Sequence, residues 1–204
     1  MAKRSKSIAV FSGTFDPVTY GHLDLIERAR QLFDKLIVAV GHNPTKQEIF
    51  TQQERVKLIR PLIADYPNVR VASYRGLTFD YVRSVGATVI LRGIRDMADL
   101  RSELQQANTN LLVGNVETVF MVTSHDHALT SSELIRQIAS LGGFESYRKK
   151  RLVPPSVAAA LNRKLGTGRT AKTASASKAV PGGKPRTSRS KLPASHAGKG
   201  KKAK

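Results

Sequence analysis

The feature that most constrains this chain is an alternation of short apolar runs, rich in branched residues, with segments of helical period. Ile8-Ala9-Val10-Phe11 and Leu36-Ile37-Val38-Ala39-Val40 are too short for helices, and their unbroken apolarity marks strands covered on both faces. Between them, in HLDLIERARQLFD, Leu23, Ile26, Arg30 and Phe33 share one approximate helical face, which makes a β-α-β opening. The pattern then repeats. Thr51 with Glu54 forms a capping-box sequence before VKLIRPLIADY, Val69-Arg70-Val71 is a short strand, and Phe79 to Val85 is a helix. Ala87 to Leu91 is a fourth strand, Asp99 to Leu112 a helix, Glu117 to Val122 a fifth strand, and Thr130 or Ser131 opens another helix. Pro154-Pro155 starts the last one, with proline in its first turn. Five strands joined in this way imply right-handed crossovers and an α/β, Rossmann-like, open parallel five-stranded sheet with helices on both faces. Ligands in such sheets bind at the carboxyl ends of strands, where the winding reverses. The positions to inspect therefore follow Phe11, Val40, Leu91 and Val122.

A chain of 204 residues, 40% hydrophobic, supports one well-buried core with an appended segment. Cysteine is absent, which removes disulfides, thiolate metal sites and a thiol nucleophile and suits a reducing compartment, so a cytoplasmic location is expected. No apolar run approaches the roughly 20 residues that span a bilayer. Met1 to Ser7 leads straight into a strand, so neither a signal peptide nor a membrane span is expected. The net charge of +19 points first to nucleic acid, but its distribution weakens that reading. Gly166 to Lys204 holds eleven Lys or Arg and no Asp or Glu, which leaves only +8 for the preceding residues. That stretch, almost free of apolar residues, cannot offset its ordering entropy by burial. The expected organisation is a domain over 1–165 and a disordered basic tail over 166–204. The tail reads as a solubilising extension or as a contact for nucleic acid or another acidic surface.

After the first strand, Ser12 to His22 leads directly into a helix. Glycine permits close backbone approach to a phosphate, the Thr14 hydroxyl can bond a phosphate oxygen, and a helix N-terminus presents unpaired N–H groups at the positive end of its dipole. A histidine there can donate to a phosphoryl oxygen as negative charge builds up. A helix-start histidine is by itself more often a packing or surface residue; the complete run is much less common. Arg92 and Arg95 flank Gly93 at a strand exit, and the planar guanidinium fork suits polyphosphate oxygens. Thr130-Ser131-Ser132 is an ordinary helix cap or a phosphate site of hydroxyls and free N–H groups. His125 and His127 alternate as strand-face metal ligands would, but no further His or Cys lies nearby to complete a zinc site.

The run GTFDPVTYGH resembles the T-x-G-H form of the nucleotidyltransferase signature, in the version carried by bacterial phosphopantetheine adenylyltransferases. GHNPTKQEIFTQQERV is similar to the lysine loop of that family, Leu91 to Asp96 to its R-G-[LIV]-R element, and His125 to Arg136 to its serine-rich helix start. The likeness covers roughly Ile8 to Leu165. It departs at Glu133, where the family commonly has a third serine, and at His127, where it has an aromatic residue. The resemblance implies transfer of the adenylyl group of ATP to 4'-phosphopantetheine, giving dephospho-coenzyme A and pyrophosphate, in a homohexamer. It implies that Thr14 contacts both substrates, that Phe15 lies by ATP, and that His22 binds ATP and stabilises the transition state. Lys46, Thr78 and Arg92 would hold phosphopantetheine, with Thr78 the loosest match. Gly93, Ile94, Arg95, Glu103, His127, Ala128, Leu129, Thr130, Ser131, Ser132 and Glu133 would line the ATP site. Magnesium is expected too, held mainly through ATP phosphates and water. Asp16 either assists or merely fixes its loop. Two other readings stand beside this one: the same fold with nicotinate mononucleotide or, with CTP, a phosphorylated alcohol as acceptor, and a nucleic-acid-binding protein acting through its basic tail.

Overall fold

The computed structural model describes residues 6–44, 47–128, 130–143, 146 and 150–166. The expected tail, beyond residue 166, lies outside the described residues. Five strands, β1 (Ile8–Gly13), β2 (Lys35–Val40), β3 (Val69–Ser73), β4 (Val89–Ile94) and β5 (Glu117–Val122), form one sheet in the order β3-β2-β1-β4-β5. Every pairing is parallel. The helices are α1 (Tyr20–Ala29), α2 (Gln52–Ile59), α3 (Thr78–Ser84), α4 (Met97–Gly114), α5 (Ser132–Ser140) and α6 (Pro155–Gly166).

Side chains alternate across a strand, so each buried strand feeds two cores. Ala9 and Phe11 of β1, Leu36, Val38 and Val40 of β2 and Leu91 of β4 join Leu25, Ile26, Ile59, Ile135, Val157 and Leu161, from α1, α2, α5 and α6. Val10, Ile37, Ala39 and Ile90 face the opposite way and pack with Phe79 and Val82 of α3 and with Val116. Burial of each such Val, Leu, Ile or Phe contributes about 1.5–3 kcal/mol, and this two-sided demand is what the unbroken apolarity of β1 and β2 encodes.

The chain winds outward from β1 through β2 to β3, then returns across β1 to β4 and β5. The reversal falls between β1 and β4, where Phe11 is in register with Leu91. Several boundaries differ from expectation, two of them for a visible reason. Segment α1 ends at Ala29, and Phe33 lies beyond it in a turn whose carbonyls, with that of Arg30, are taken by the Asn68 side chain. Strand β4 begins two residues later than expected and continues through Ile94, because β5 supplies ladder partners as far as Ile94↔Val122. Arg92-Gly93-Ile94 are therefore strand residues, not a loop beyond one.

Candidate active site

A cleft of about 220 Å³ opens at the reversal point. Its walls come from the β1–α1 loop, the end of β4, the start of α4 and the start of α5. Among residues expected at a site, Thr14, Phe15, His22, Arg92, Gly93, Arg95, Glu103, Thr130, Ser131, Ser132 and Glu133 all line it.

The β1–α1 loop is shaped by packing and by hydrogen bonds from other elements. Phe15 has a φ of 50° and is almost fully buried. Its ring meets Phe11 edge-on at 5.2 Å and His22 at 5.0 Å. A Cβ on Gly13 would stand 3.1 Å from that ring, so glycine is what lets Phe15 turn in. Side chains distant in sequence take up the loop's carbonyls. Arg55 donates to Thr14 O at 2.8 Å, Arg136 to Asp16 O at 2.8 Å, Ser132 Oγ to Pro17 O at 2.8 Å, and Arg92 to Ser12 O. Asp16 faces the other way: its carboxylate accepts the N–H groups of Ile49 and Phe50 at 2.7 and 3.0 Å. Of its two expected roles, the contacts match loop fixing.

His22 is the third residue of α1. Its Nδ1 accepts from the backbone N–H of Thr19 at 3.0 Å, taking the place that the N3 glutamate or glutamine side chain holds in a capping box. A backbone N–H can only donate, so Nδ1 is the unprotonated nitrogen and the proton of the neutral ring sits on Nε2. Burial, then the charges of Arg95 and Arg92, lower the His22 pKa to about 4. At neutral pH the ring is an uncharged Nε2–H donor.

Strand parity and helix period place the two arginines. Arg92 lies on the same side of β4 as Ile90, toward α4, where its guanidinium meets Glu103 in a bidentate pair at 2.6 Å. Gly93 lies on the opposite side, where a Cβ would come within 2.3 Å of Leu25 Cδ1. Arg95, just past the strand, pairs bidentately with Asp99 at 2.6 and 2.8 Å. This pairing raises the Arg95 pKa and holds the Asp99 carboxyl below its usual range. Asp99 and Glu103, four apart, share a face of α4. At α5, Ser131 Oγ caps the helix by accepting from Leu134 N at 3.0 Å. A polyphosphate entering this cleft meets a helix N-terminus, two guanidinium forks, hydroxyls and a neutral imidazole donor.

Four expected residues lie elsewhere. Thr78 opens α3 and bonds the Tyr74 hydroxyl at 2.8 Å, away from the cleft lining. Ile94 is buried and does not line the cleft. His127 and Ala128 also lie outside the lining; His127 stacks on Tyr20 with ring centroids 6.2 Å apart. His125 and His127 sit in a 3-10 turn rather than on a strand, and no group of three His, Cys, Asp or Glu able to hold a metal occurs among the described residues. Lys46 and Leu129 lie outside the described residues. Conversely, Thr19, Asp99, Thr123 and Arg136 line the cleft without having been singled out. The i, i+4 spacing of Arg95 and Asp99 was the readable signal for one of them; Thr123 and Arg136 arrive only through folding.

Residues 10–138 match the family model described as cytidylyltransferase-like. The phosphopantetheine adenylyltransferase of Picosynechococcus sp. is 49% identical over 152 residues, which cover 74% of this chain and 83% of that relative. The phosphopantetheine adenylyltransferase of Alkalilimnicola ehrlichii is 48% identical over 160 residues, covering 77% and 90%. A solved structure from Vibrio parahaemolyticus, whose protein is assigned as a nicotinate-nucleotide adenylyltransferase, aligns with a TM-score of 0.52 over 76% of this chain and 98% of that one. Its 18% identity speaks for the fold alone. On the sequence likeness to the curated relatives, which spans most of both chains, this chain belongs to the phosphopantetheine adenylyltransferase family.

Proposed function

We propose that the chain transfers the adenylyl group of ATP to 4'-phosphopantetheine, giving dephospho-coenzyme A and pyrophosphate. The observation that carries this reading is a cleft combining a neutral, half-buried His22 donor with Arg92 and Arg95, in a chain of this family. An oxygen of the acceptor phosphate attacks the α-phosphorus of ATP in line; the bond from that phosphorus to the bridging oxygen breaks, and pyrophosphate leaves. The acceptor is already anionic at neutral pH, so no protein nucleophile is required. Catalysis then rests on positioning and on stabilising charge at the pentacoordinate phosphorus.

In this reading His22 Nε2–H donates to an oxygen of the α-phosphate as its charge grows. Arg95, Ser131 and Ser132 face the β- and γ-phosphates at the N-terminus of α5, and Arg92 and Lys46 hold the acceptor phosphate. Thr78, with Tyr74, borders the acceptor arm beyond the cleft. Asp99 and Glu103 keep the guanidinium planes in place before substrate arrives. These carboxylates are engaged with arginines, so a magnesium ion would be held mainly by phosphate oxygens and water, where it would neutralise polyphosphate charge. No helix among the described residues is long and apolar enough to cross a membrane, and we place the enzyme in the cytoplasm. We also assign it a homohexameric state. In its support, α4 buries only Gly114, and Leu112, Val113 and Val122 stand exposed on α4 and the edge strand β5.

The reaction is tested by offering phosphopantetheine and nicotinate mononucleotide with ATP, and glycerol phosphate with CTP. Turnover of phosphopantetheine, far above the others, is expected; its absence sinks the proposal.

A further inference from the structure

Among the described residues, Arg55 is the largest side chain fully removed from solvent, and it is charged. An isolated guanidinium in such a place costs several kcal/mol unless its donors are matched. Here Nε and Nη1 are matched by three separate segments, and Nη2 has a carboxylate beside it. Nη1 donates to Thr14 O at 2.8 Å and to Gly41 O at 3.2 Å, and Nε donates to Thr51 O at 3.3 Å. Nη2 lies 2.7 Å from Glu48 Oε2, an ion pair whose alignment falls short of a directed hydrogen bond. The other Glu48 oxygen faces His42 Nδ1 at 3.2 Å.

These contacts join the β1–α1 loop to the segment that follows β2. A peptide unit is planar and, when trans, its C=O and the next N–H point in opposite directions. Holding Thr14 O against the buried guanidinium therefore also sets the direction of the Phe15 N–H. On the second segment, Gly41 and Glu48 bracket the stretch that carries Lys46. Asp16, with its carboxylate on the N–H groups of Ile49 and Phe50, repeats the link in the reverse direction, from the first loop to the second. Neither Arg55 nor Glu48 lines the cleft, so their influence passes through the backbone they hold.

We propose that Arg55 and Glu48 act as a positioning pair that fixes the separation between the β1–α1 loop, held at Thr14, and the segment after β2, held at Gly41 and Glu48. This rests on the adenylyl-transfer reading. In-line attack depends steeply on the distance between the reacting atoms, so loosening the pair lowers turnover more than it weakens nucleotide binding. Lysine in place of Arg55 keeps the charge but cannot reproduce a planar fork that serves several acceptors at once.

The test compares wild type, Glu48→Gln and Arg55→Lys in full steady-state kinetics, with thermal unfolding alongside. Glu48→Gln leaves the buried guanidinium its three carbonyl partners and a neutral amide of the same shape beside Nη2, and thermal unfolding checks that it folds. It is expected to lower kcat at least tenfold while KM for ATP stays within twofold, with Arg55→Lys falling at least as far. A Glu48→Gln enzyme with wild-type kcat and only a lower Tm makes the pair merely structural and overturns the proposal. A parallel loss of kcat and ATP affinity also overturns it. If Arg55→Lys does not fold, Glu48→Gln decides alone. Absence of phosphopantetheine turnover in wild type removes the adenylyl-transfer reading itself, whereas normal wild type beside an unaffected Glu48→Gln removes only the positioning role.

Discussion

At the scale of single residues, His22 shows how a common side chain acquires a defined chemical state. Its neighbours decide both which nitrogen carries the proton and at what pH a second one binds: Thr19 N–H occupies Nδ1, and burial beside Arg95 and Arg92 lowers the pKa to about 4. NMR titration of the ring signals is therefore expected to show no change from pH 8 to 5 and a transition near pH 4; a midpoint near 6.5 would contradict the assignment. The sign of the stability effect follows from linkage. The unfolded chain takes up this proton below its ordinary value of 6.5 and the folded chain does not until about 4. The His22 contribution is thus fully present above 6.5 and is lost as pH falls from 6.5 toward 4. His22→Ala is expected to lower kcat by roughly a hundredfold or more, with a smaller change in ATP affinity, since the contact strengthens on the way to the transition state. Rapid-quench kinetics and equilibrium ATP titration separate the two, and equal losses would make His22 structural.

At the scale of elements, caps and parity carry the site. The Thr51–Glu54 box at α2 was legible because its partners are three residues apart, and the structure contains both halves of it. Ser131 at α5 was equally legible as a cap. Ser131→Ala removes the acceptor for Leu134 N and is expected to cost about 1 kcal/mol of stability in urea unfolding. A raised KM for ATP should accompany that loss, because the same hydroxyl faces the cleft; unchanged KM would confine Ser131 to capping. Arg92 and Gly93 were legible as a pair but not as strand residues, since the length of β4 is set by its neighbour β5. That three-residue extension matters, because parity sends Arg92 toward Glu103 and leaves Gly93 against Leu25.

At the scale of the molecule, the charge excess and the apolar surface are separate matters. Eleven of the basic residues fall in Gly166 to Lys204, later in the sequence than every segment that builds the cleft. Removal of 167–204 is expected to leave adenylyl transfer within about twofold and to abolish salt-sensitive binding to DNA or RNA, measured by fluorescence anisotropy across a salt series. Loss of catalysis on that truncation would place the tail in the enzyme's working parts. The exposed apolar set on α4 and β5 bears on assembly. Leu112→Glu combined with Val122→Glu is expected to reduce the mass in sedimentation from six times the 22.3 kDa chain to a smaller species. An unchanged mass would move the interface elsewhere.

By itself, the sequence determined the order and type of the elements, because short unbroken apolar runs, period-3.6 apolarity, caps and prolines are read within a few residues of one another. It pointed to four segments that could meet at a phosphate site, because glycine, hydroxyl and arginine cluster at or near the carboxyl ends of the apolar runs. Only the tertiary structure decided how those segments close. Sheet order brought β4 beside β1, and pairing with β5 carried β4 through Ile94. A guanidinium buried at position 55 then joined carbonyls at positions 14, 41 and 51, a requirement that no local spacing records. The physical reason is range. Backbone propensity acts over a turn, whereas desolvation of a charge is settled by whichever groups the completed fold brings within 3 Å or so. Thus Gly13 to His22 was readable as a turn suited to phosphate, while the lowered pKa of His22 was set by its packing beside Arg95 and Arg92.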